Sequence, residues 1–262
     1  MADLRVKHGS NKKQSKKQRK QRNNECPSII RALPNELLVE ILGKVASTSM
    51  FDLCKVKLSC KELLHVAEDD HVYHHASMEK FAMVPLPWFT GERESSFLKR
   101  CKESGNSEIQ YREGMVQYFS SLRVRTGLEN LKKAALEGHG EAKYVYAMLL
   151  MCCENEDERK EGFDLFRDLK RKMASSCGIG RCRKRVRSFI RSMWVNNPVV
   201  RNRRLSLCCS SMCDSSERMQ RVARRRWSWL VEDEDDDDCV GISCEYCDGD
   251  YELSLFCKMF EV

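Results

Sequence analysis

The residues best suited to chemistry in this chain are its cysteines, fifteen among 262 residues. Near the C-terminus Cys239, Cys244, Cys247 and Cys257 follow one another with the spacing C-x4-C-x2-C-x9-C. Two thiolates separated by two residues can reach one metal ion from a single turn of backbone, so Cys244 and Cys247 form the nucleus of a candidate site. Cys239 and Cys257 could supply its other ligands. Thiolate ligands favour zinc over calcium or magnesium. Upstream lie Cys208, Cys209 and Cys213, and before them Cys177 and Cys182, all able to cooperate. A single C-x2-C knuckle leaves other readings open. The cysteines could be unligated in a loosely ordered tail, could serve redox or disulfide chemistry, or, for Cys257, could be a core residue of a short strand at 256–260.

Catalytic constellations are not legible. The histidines are His8, His65, His71, His74, His75 and His139. His71, His74 and His75 cluster, but no HExxH pattern is present and His74 and His75 are adjacent. Cys152 and Cys153 have no evident base in reach, and there is neither a glycine-rich phosphate loop nor a G-x-S-x-G elbow. The expectation is a protein that is not an enzyme and has no cofactor other than zinc.

The elements that must position these residues are helical. Leu, Met and Ala crowd the middle of the chain, β-branched residues are sparse there, and the whole sequence contains five prolines. Residues 1–28 form a polar, basic run that cannot bury anything and reads as a disordered tail, with the composition of a nuclear-localisation signal. After it, Leu33-Pro34-Asn35-Glu36 has the form of a helix start. Leu37, Leu38, Ile41, Leu42 and Val45 then recur at helical spacing. Ser47-Thr48-Ser49 interrupts the pattern and offers an N-cap for a second short helix through Leu53, Val56 and Leu58, and Ser59 offers one for a third with Cys60, Leu63, Leu64 and Ala67 on one side. Three helices this short must pack on one another or on a partner. Their apolar residues exceed what they can bury among themselves, which marks Leu33, Pro34, Leu37 and Val56 as a candidate docking face.

The stretch LPNELLVEILGKVASTSMFDLCKVKLSCKELLHVAEDDHVYHHA, residues 33–76, resembles the F-box. Leu33-Pro34, Glu36-Leu37-Leu38, Glu40-Ile41-Leu42, Leu53, Val56 and Ser59-Cys60-Lys61 carry the match. Leu63 or Leu64 stands where many members have tryptophan, and Lys55 and Lys57 stand where arginines are frequent. The resemblance implies docking on the Skp-type adaptor of a Skp–cullin–F-box ubiquitin ligase, and through it on a cullin. The adaptor-binding set it implies is Leu33, Pro34, Leu37, Leu38, Ile41, Leu42, Leu53, Val56 and Cys60.

Further along, residues 95–119 and 128–152 align at an offset of 33. Leu98 matches Leu131, Gly105 matches Gly138, Glu108 matches Glu141, Tyr111 matches Tyr144 and Met115 matches Met148. Small residues answer one another, Cys101 opposite Ala134 and Gly114 opposite Ala147. This is the pattern of stacked helix pairs, with glycines reversing the chain at the turns. Gly162-Phe163-Asp164-Leu165-Phe166 echoes Gly127-Leu128-Glu129-Asn130-Leu131 as a third half-unit. Together these segments resemble Sel1-like repeats, relatives of the tetratricopeptide class, with Gly105, Tyr111, Gly114, Ala134, Ala135, Gly138, Ala142 and Tyr144 as framework. A final basic amphipathic helix is expected at 181–198, with Val186, Phe189, Ile190 and Met193 on its apolar side. The combination resembles a group of plant F-box proteins.

The architecture expected is therefore all-α: a basic tail (1–28), an F-box (29–80), a linker (81–94), a Sel1-like repeat region (95–198), a low-order basic then acidic segment (199–238) and a cysteine-rich tail (239–262). The function expected is a substrate-recognition adaptor that recruits an unidentified protein for ubiquitination. The alternative is a helical-repeat interaction or nucleic-acid-associated factor that does not engage the ligase. The net charge of +7 is clustered, but no nucleic-acid docking motif accompanies it, so nucleic acid is not the expected partner. Neither a secretory leader nor an apolar run of membrane-spanning length is legible, so the expected location is nucleus or cytoplasm, with thiols kept reduced.

Overall fold

In a computed structural model the described residues are 30, 32–84, 91–173, 177–200, 202, 206–208, 213 and 244–261. The basic run at 5–22, the linker residues Pro85, Pro87 and Trp88, the acidic block at 232–238 and Cys239 lie outside them. Every regular element among the described residues is helical, and none is long and apolar enough to cross a membrane.

The helices are α1 (Asn35–Thr48), α2 (Met50–Lys57), α3 (Lys61–Val66), α4 (Asp70–His74), α5 (Glu92–Glu103), α6 (Ser107–Met115, continued by a π turn over Val116–Ser120), α7 (Val124–Leu136), α8 (Gly140–Met151), α9 (Glu156–Lys172), α10 (Cys177–Arg191) and α11 (Glu245–Cys257, continued by a 3-10 turn over Lys258–Phe260). Many starts carry a side-chain cap that satisfies an orphan backbone N–H. Ser49 caps α2, Asp69 caps α4, Asn106 caps α6 and Asn155 caps α9. Two caps are unusual. The start of α3 is capped by the Cys60 sulfur, which accepts from Leu63 N at 3.4 Å, rather than by the expected Ser59. The start of α8 is capped by the His139 ring, whose Nδ1 accepts from Ala142 N at 3.1 Å.

Two cores form. Helices α1–α4 close around Leu38, Leu42, Ala46, Leu53, Val66, Val72 and Tyr73. That core runs on into Cys101 and Ile109 of the repeat region, so the first unit is continuous with the second. The larger core is organised by α8, whose residues Tyr144–Met151 are all buried. A helix apolar on all sides must be covered on all sides; α7, α9, α10 and α11 all contact it.

The crossings depend on glycine. A Cβ on Gly127 would lie 2.5 Å from Tyr118 N, and one on Gly162 would lie 2.7 Å from Ala147 O. These are the two residues that open the echoed segments, and each lets its helix touch the backbone of the one before it. Gly105 and Gly138 occupy the matching turns with φ of +75° and +88°, the left-handed region that favours glycine.

The C-terminal region departs from the strand reading. Residues 256–260 finish helix α11 and its 3-10 turn. Helix α11 is buried along most of its length, including Asp250 and Glu252.

Candidate functional site

Helix α1 carries two stripes. Leu38, Leu42 and Ala46 face inward and are buried. Leu33, Leu37 and Ile41, one helical turn apart, remain 37%, 51% and 48% exposed, and Pro34 is exposed as well. Beyond α1, Phe51 and Leu58 on α2 and its end are 68% and 85% exposed, and Leu64 of α3 is 43% exposed. The expected adaptor-binding set therefore divides in two. Leu33, Pro34, Leu37 and Ile41 are accessible and Val56 partly so, whereas Leu38, Leu42, Leu53 and Cys60 are buried and build the unit. Sequence reasoning did not single out Phe51, and it read Leu58 as an apolar residue of the second helix rather than as part of an exposed face, because neither falls on the periodic apolar stripe of α1.

The lysines of α2 have separate roles. Lys55 lies above the Phe51 ring, 4.1 Å from its centroid, and pairs with Asp52 at 3.1 Å. Lys57 turns inward and donates to Glu68 Oε1 at 2.8 Å and to Tyr73 Oη at 3.0 Å. The Tyr73 hydroxyl donates in turn to Glu68 Oε2 at 2.6 Å. Burial opposes the charge on Lys57, but Glu68 and Tyr73 outweigh it and hold its pKa up. This triad ties the end of α2 to α4.

A polar seam joins these helices to the repeats. The Asn106 amide, 2% exposed, is shared among the carbonyls of Tyr73, His74 and Ala76 at 2.9–3.1 Å. Its oxygen accepts from Ile109 N. Arg112 donates to the carbonyls of Met78, Phe81 and Ala82 while pairing with Glu108 at 2.6 Å. Burial raises the Glu108 carboxyl, but the His139 ring at 2.6 Å and the Arg112 guanidinium overcome it and lower its pKa to about 2. The seam borders a cleft of about 610 Å³ lined on one side by His74 and His75 and on the other by Tyr111, Arg112, His139 and Arg185. The clustered histidines are thus part of the seam: His74 Nδ1 lies 3.0 Å from the Ser104 carbonyl and His75 Nδ1 2.9 Å from that of His71.

The repeat framework is internal. Tyr111, Gly114, Ala134, Ala142 and Tyr144 are buried, Ala135 is partly buried against the larger core, and Gly105 and Gly138 make the turns. The thiols within it are small apolar fillers: burial pushes Cys101 up to about 12 and Cys153 up to about 11.

The cysteines of the C-terminal region assemble differently from the expected set. Cys244 and Cys247 do come together, but their companions are Cys208 and Cys213. All four sulfurs lie within 4.8 Å of one another, an arrangement able to hold a metal ion such as zinc. Cys257 is 4% exposed and belongs to the larger core beside Phe256, and Cys182 is buried in the same core. The C-x9-C spacing misled because α11 carries Cys257 about three helical turns away from Cys247.

Comparison with known proteins bears on both units. Residues 30–79 match the F-box-like family model, and residues 81–191 match the model of plant tetratrico peptide repeats. The F-box protein At2g35280 of Arabidopsis thaliana is 33% identical over 133 residues, covering 51% of this chain and 80% of the relative. At1g67623 of the same plant is 28% identical over 218 residues, 82% of this chain and 72% of the relative. The F-box protein At1g67340, also of Arabidopsis thaliana, is 30% identical over 129 residues, 48% of this chain and 34% of the relative. No solved structure matches the chain significantly. Identity of one third across four fifths of At2g35280, with the F-box-like helices followed directly by the plant repeats, makes this chain a member of the F-box protein family.

Proposed function

We propose that this protein is a substrate-recognition adaptor of a Skp–cullin–F-box ubiquitin ligase, docking on the Skp-type subunit through the exposed stripe of α1. Family membership is consistent with an adaptor role in such a complex, and F-box proteins are in general non-catalytic adaptors. The observation that carries the reading is the divided face of α1. One stripe is consumed by the core, while Leu33, Leu37 and Ile41 remain uncovered by the rest of the described chain. An apolar stripe at i, i+4 and i+8 is the form of a helix surface that a second protein covers. The rigid seam through Asn106 and Arg112 supports the second half of the reading, since a ligase adaptor must hold its substrate-presenting unit at a fixed distance from its docking helices. In this proposal the repeat helices offer that second surface to a protein substrate.

The test is co-purification of the full chain with a Skp-type subunit, followed by titration of the two purified proteins. The wild type forms a stable complex that also enters a cullin assembly. L37D/I41D abolishes it. Both side chains are half exposed, so the substitutions shift folding stability by only about 0.5 kcal/mol each. A wild-type chain that fails to bind at micromolar concentration, or a double variant that binds equally well, overturns the proposal.

A further inference from the structure

We infer that Cys208, Cys213, Cys244 and Cys247 bind one zinc ion as a closed tetrathiolate site, and that this ion is a structural clasp fastening residues 206–208 and Cys213 to helix α11. The sulfur spacings fit a coordination tetrahedron. Zinc–thiolate bonds of about 2.3 Å place neighbouring sulfurs about 3.8 Å apart. The Cys208–Cys244 sulfurs are 3.9 Å apart and the Cys213–Cys247 sulfurs 3.5 Å apart, with all four inside 4.8 Å. Sulfurs joined in a disulfide stand about 2.05 Å apart, so neither close pair has disulfide geometry. Four sulfur ligands in a tetrahedral set suit zinc and exclude the oxygen-seeking calcium and magnesium. Four protein ligands leave no open position for a substrate or water, which makes the site structural rather than catalytic.

The local fold prepares the site from both sides. Cys244 is the N-cap of α11 and Cys247 lies in its first turn. The positive end of the helix dipole there favours two thiolates. One of the other two ligands, Cys208, arrives on a segment held by a carboxylate of the same helix. Asp250, fully buried, accepts from Ser206 Oγ at 2.6 Å and from the backbone N–H groups of Leu207 and Cys208 at 3.1–3.2 Å. Such an outer shell orients a ligand before the metal arrives. Gly249 provides room for the segment: a Cβ there would lie 3.1 Å from Leu207 Cδ1 and 3.0 Å from the Phe163 ring.

The clasp closes over the larger core. Helix α11 brings Glu252 to Arg183 and Tyr144, and Phe256 and Cys257 into the core. Zinc at the N-terminal end of α11 thus fixes a helix whose other residues complete the repeat array.

The test measures zinc in the full chain purified without chelator, together with the optical spectrum after cobalt replacement. About one zinc per chain is expected, with the sulfur-to-cobalt charge-transfer and intense ligand-field bands of a tetrahedral thiolate site. C247S and C213S should each lose zinc, while C54S, at an exposed cysteine of α2, should retain it. Stripping zinc from the wild type with a strong chelator should abolish hydrogen-exchange protection in 245–257 and leave that of α1–α4 unchanged. This readout needs no variant to fold. Zinc well below stoichiometric amounts, retention of zinc by C247S, a cobalt spectrum without sulfur bands, or protection of 245–257 that survives metal removal each overturns the inference.

Discussion

Glu252 shows what a single buried charge does here. Its carboxylate accepts from Arg183 Nε at 2.8 Å and Arg183 NH2 at 2.9 Å, and a third bond comes from the Tyr144 hydroxyl at 2.7 Å. Glu252 and Arg183 are 5% and 8% exposed. A bidentate pair of this kind offsets the cost of desolvating both ions only while it is complete. E252Q leaves the guanidinium buried beside a neutral amide and should cost about 3–5 kcal/mol in urea unfolding. R183M/E252M removes both charges and should recover most of that loss; equal destabilisation by the single and double variants would show that shape, not charge, dominates. Sequence reasoning set the arginines of 181–198 on a basic face opposite Val186, Phe189, Ile190 and Met193. Arg183 defeats that expectation because its partner lies 69 positions further along the chain, beyond the reach of any local pattern.

Glu108 and Glu141 occupy equivalent positions of the repeat, and each ties its helix to one further along the chain: Glu108 of α6, paired with Arg112 in its own helix, reaches His139 at the start of α8, and Glu141 of α8 reaches Arg185 of α10 at 2.9 Å. The Glu108 carboxyl is held at about 2 against its ordinary 4.5. A depressed carboxyl contributes stability that is fully present above the unfolded value and is lost as pH falls toward the folded one. The protein should therefore lose stability between about pH 4.5 and 2, and E108Q should flatten that part of the curve of melting temperature against pH. An unchanged acid limb would contradict the assignment.

Helices are the scale at which the sequence was most readable. The offset of 33 located the turns at Gly105 and Gly138, and the echo of Gly127 at Gly162 marked two crossings of the same kind. A methyl group at either crossing meets backbone rather than a yielding side chain. G127A should cost about 1–3 kcal/mol, the range for overpacking, measured by chemical denaturation; a neutral effect would mean that α7 can slide away from α6. Helix α11 was illegible for a physical reason. Asp250 and Glu252 give it the polarity of a surface segment, yet both are buried because each has its partners inside the protein. Its last residues, Phe-Cys-Lys-Met-Phe, alternate like a strand, and five residues are too few to separate a strand from the end of a helix. The same helix explains why the metal set could be half seen. The Cys244/Cys247 knuckle is local, whereas Cys208 and Cys213 come from more than thirty positions upstream, Cys208 on a segment that Asp250 holds.

At the scale of the molecule, the F-box helices and the repeats are joined by a seam whose energetics rest on one amide. Asn106 caps α6 with its oxygen and, with its nitrogen, serves three carbonyls at the end of α4 and just beyond it. The Tyr73 carbonyl also accepts from Ala76 N at 3.3 Å, whereas those of His74 and Ala76 are helix-end acceptors that the Asn106 amide serves. Removing the amide leaves buried acceptors unsatisfied at about 1–3 kcal/mol apiece, partly relieved by movement of the chain at 73–76. N106A should therefore cost about 3 kcal/mol, and its signature should be regional. Hydrogen exchange should quicken at 72–82 and at the start of α6, while 140–151 stays protected. Leu37 and Ile41 lie on the exposed stripe of α1, so affinity for a Skp-type subunit should stay within about threefold of the wild type, under 1 kcal/mol. Loss of both docking and protection would mean that the exposed stripe depends on the seam for its shape. Retained docking with a loosened seam would separate the two tasks of the adaptor, holding the ligase and holding the second surface in place.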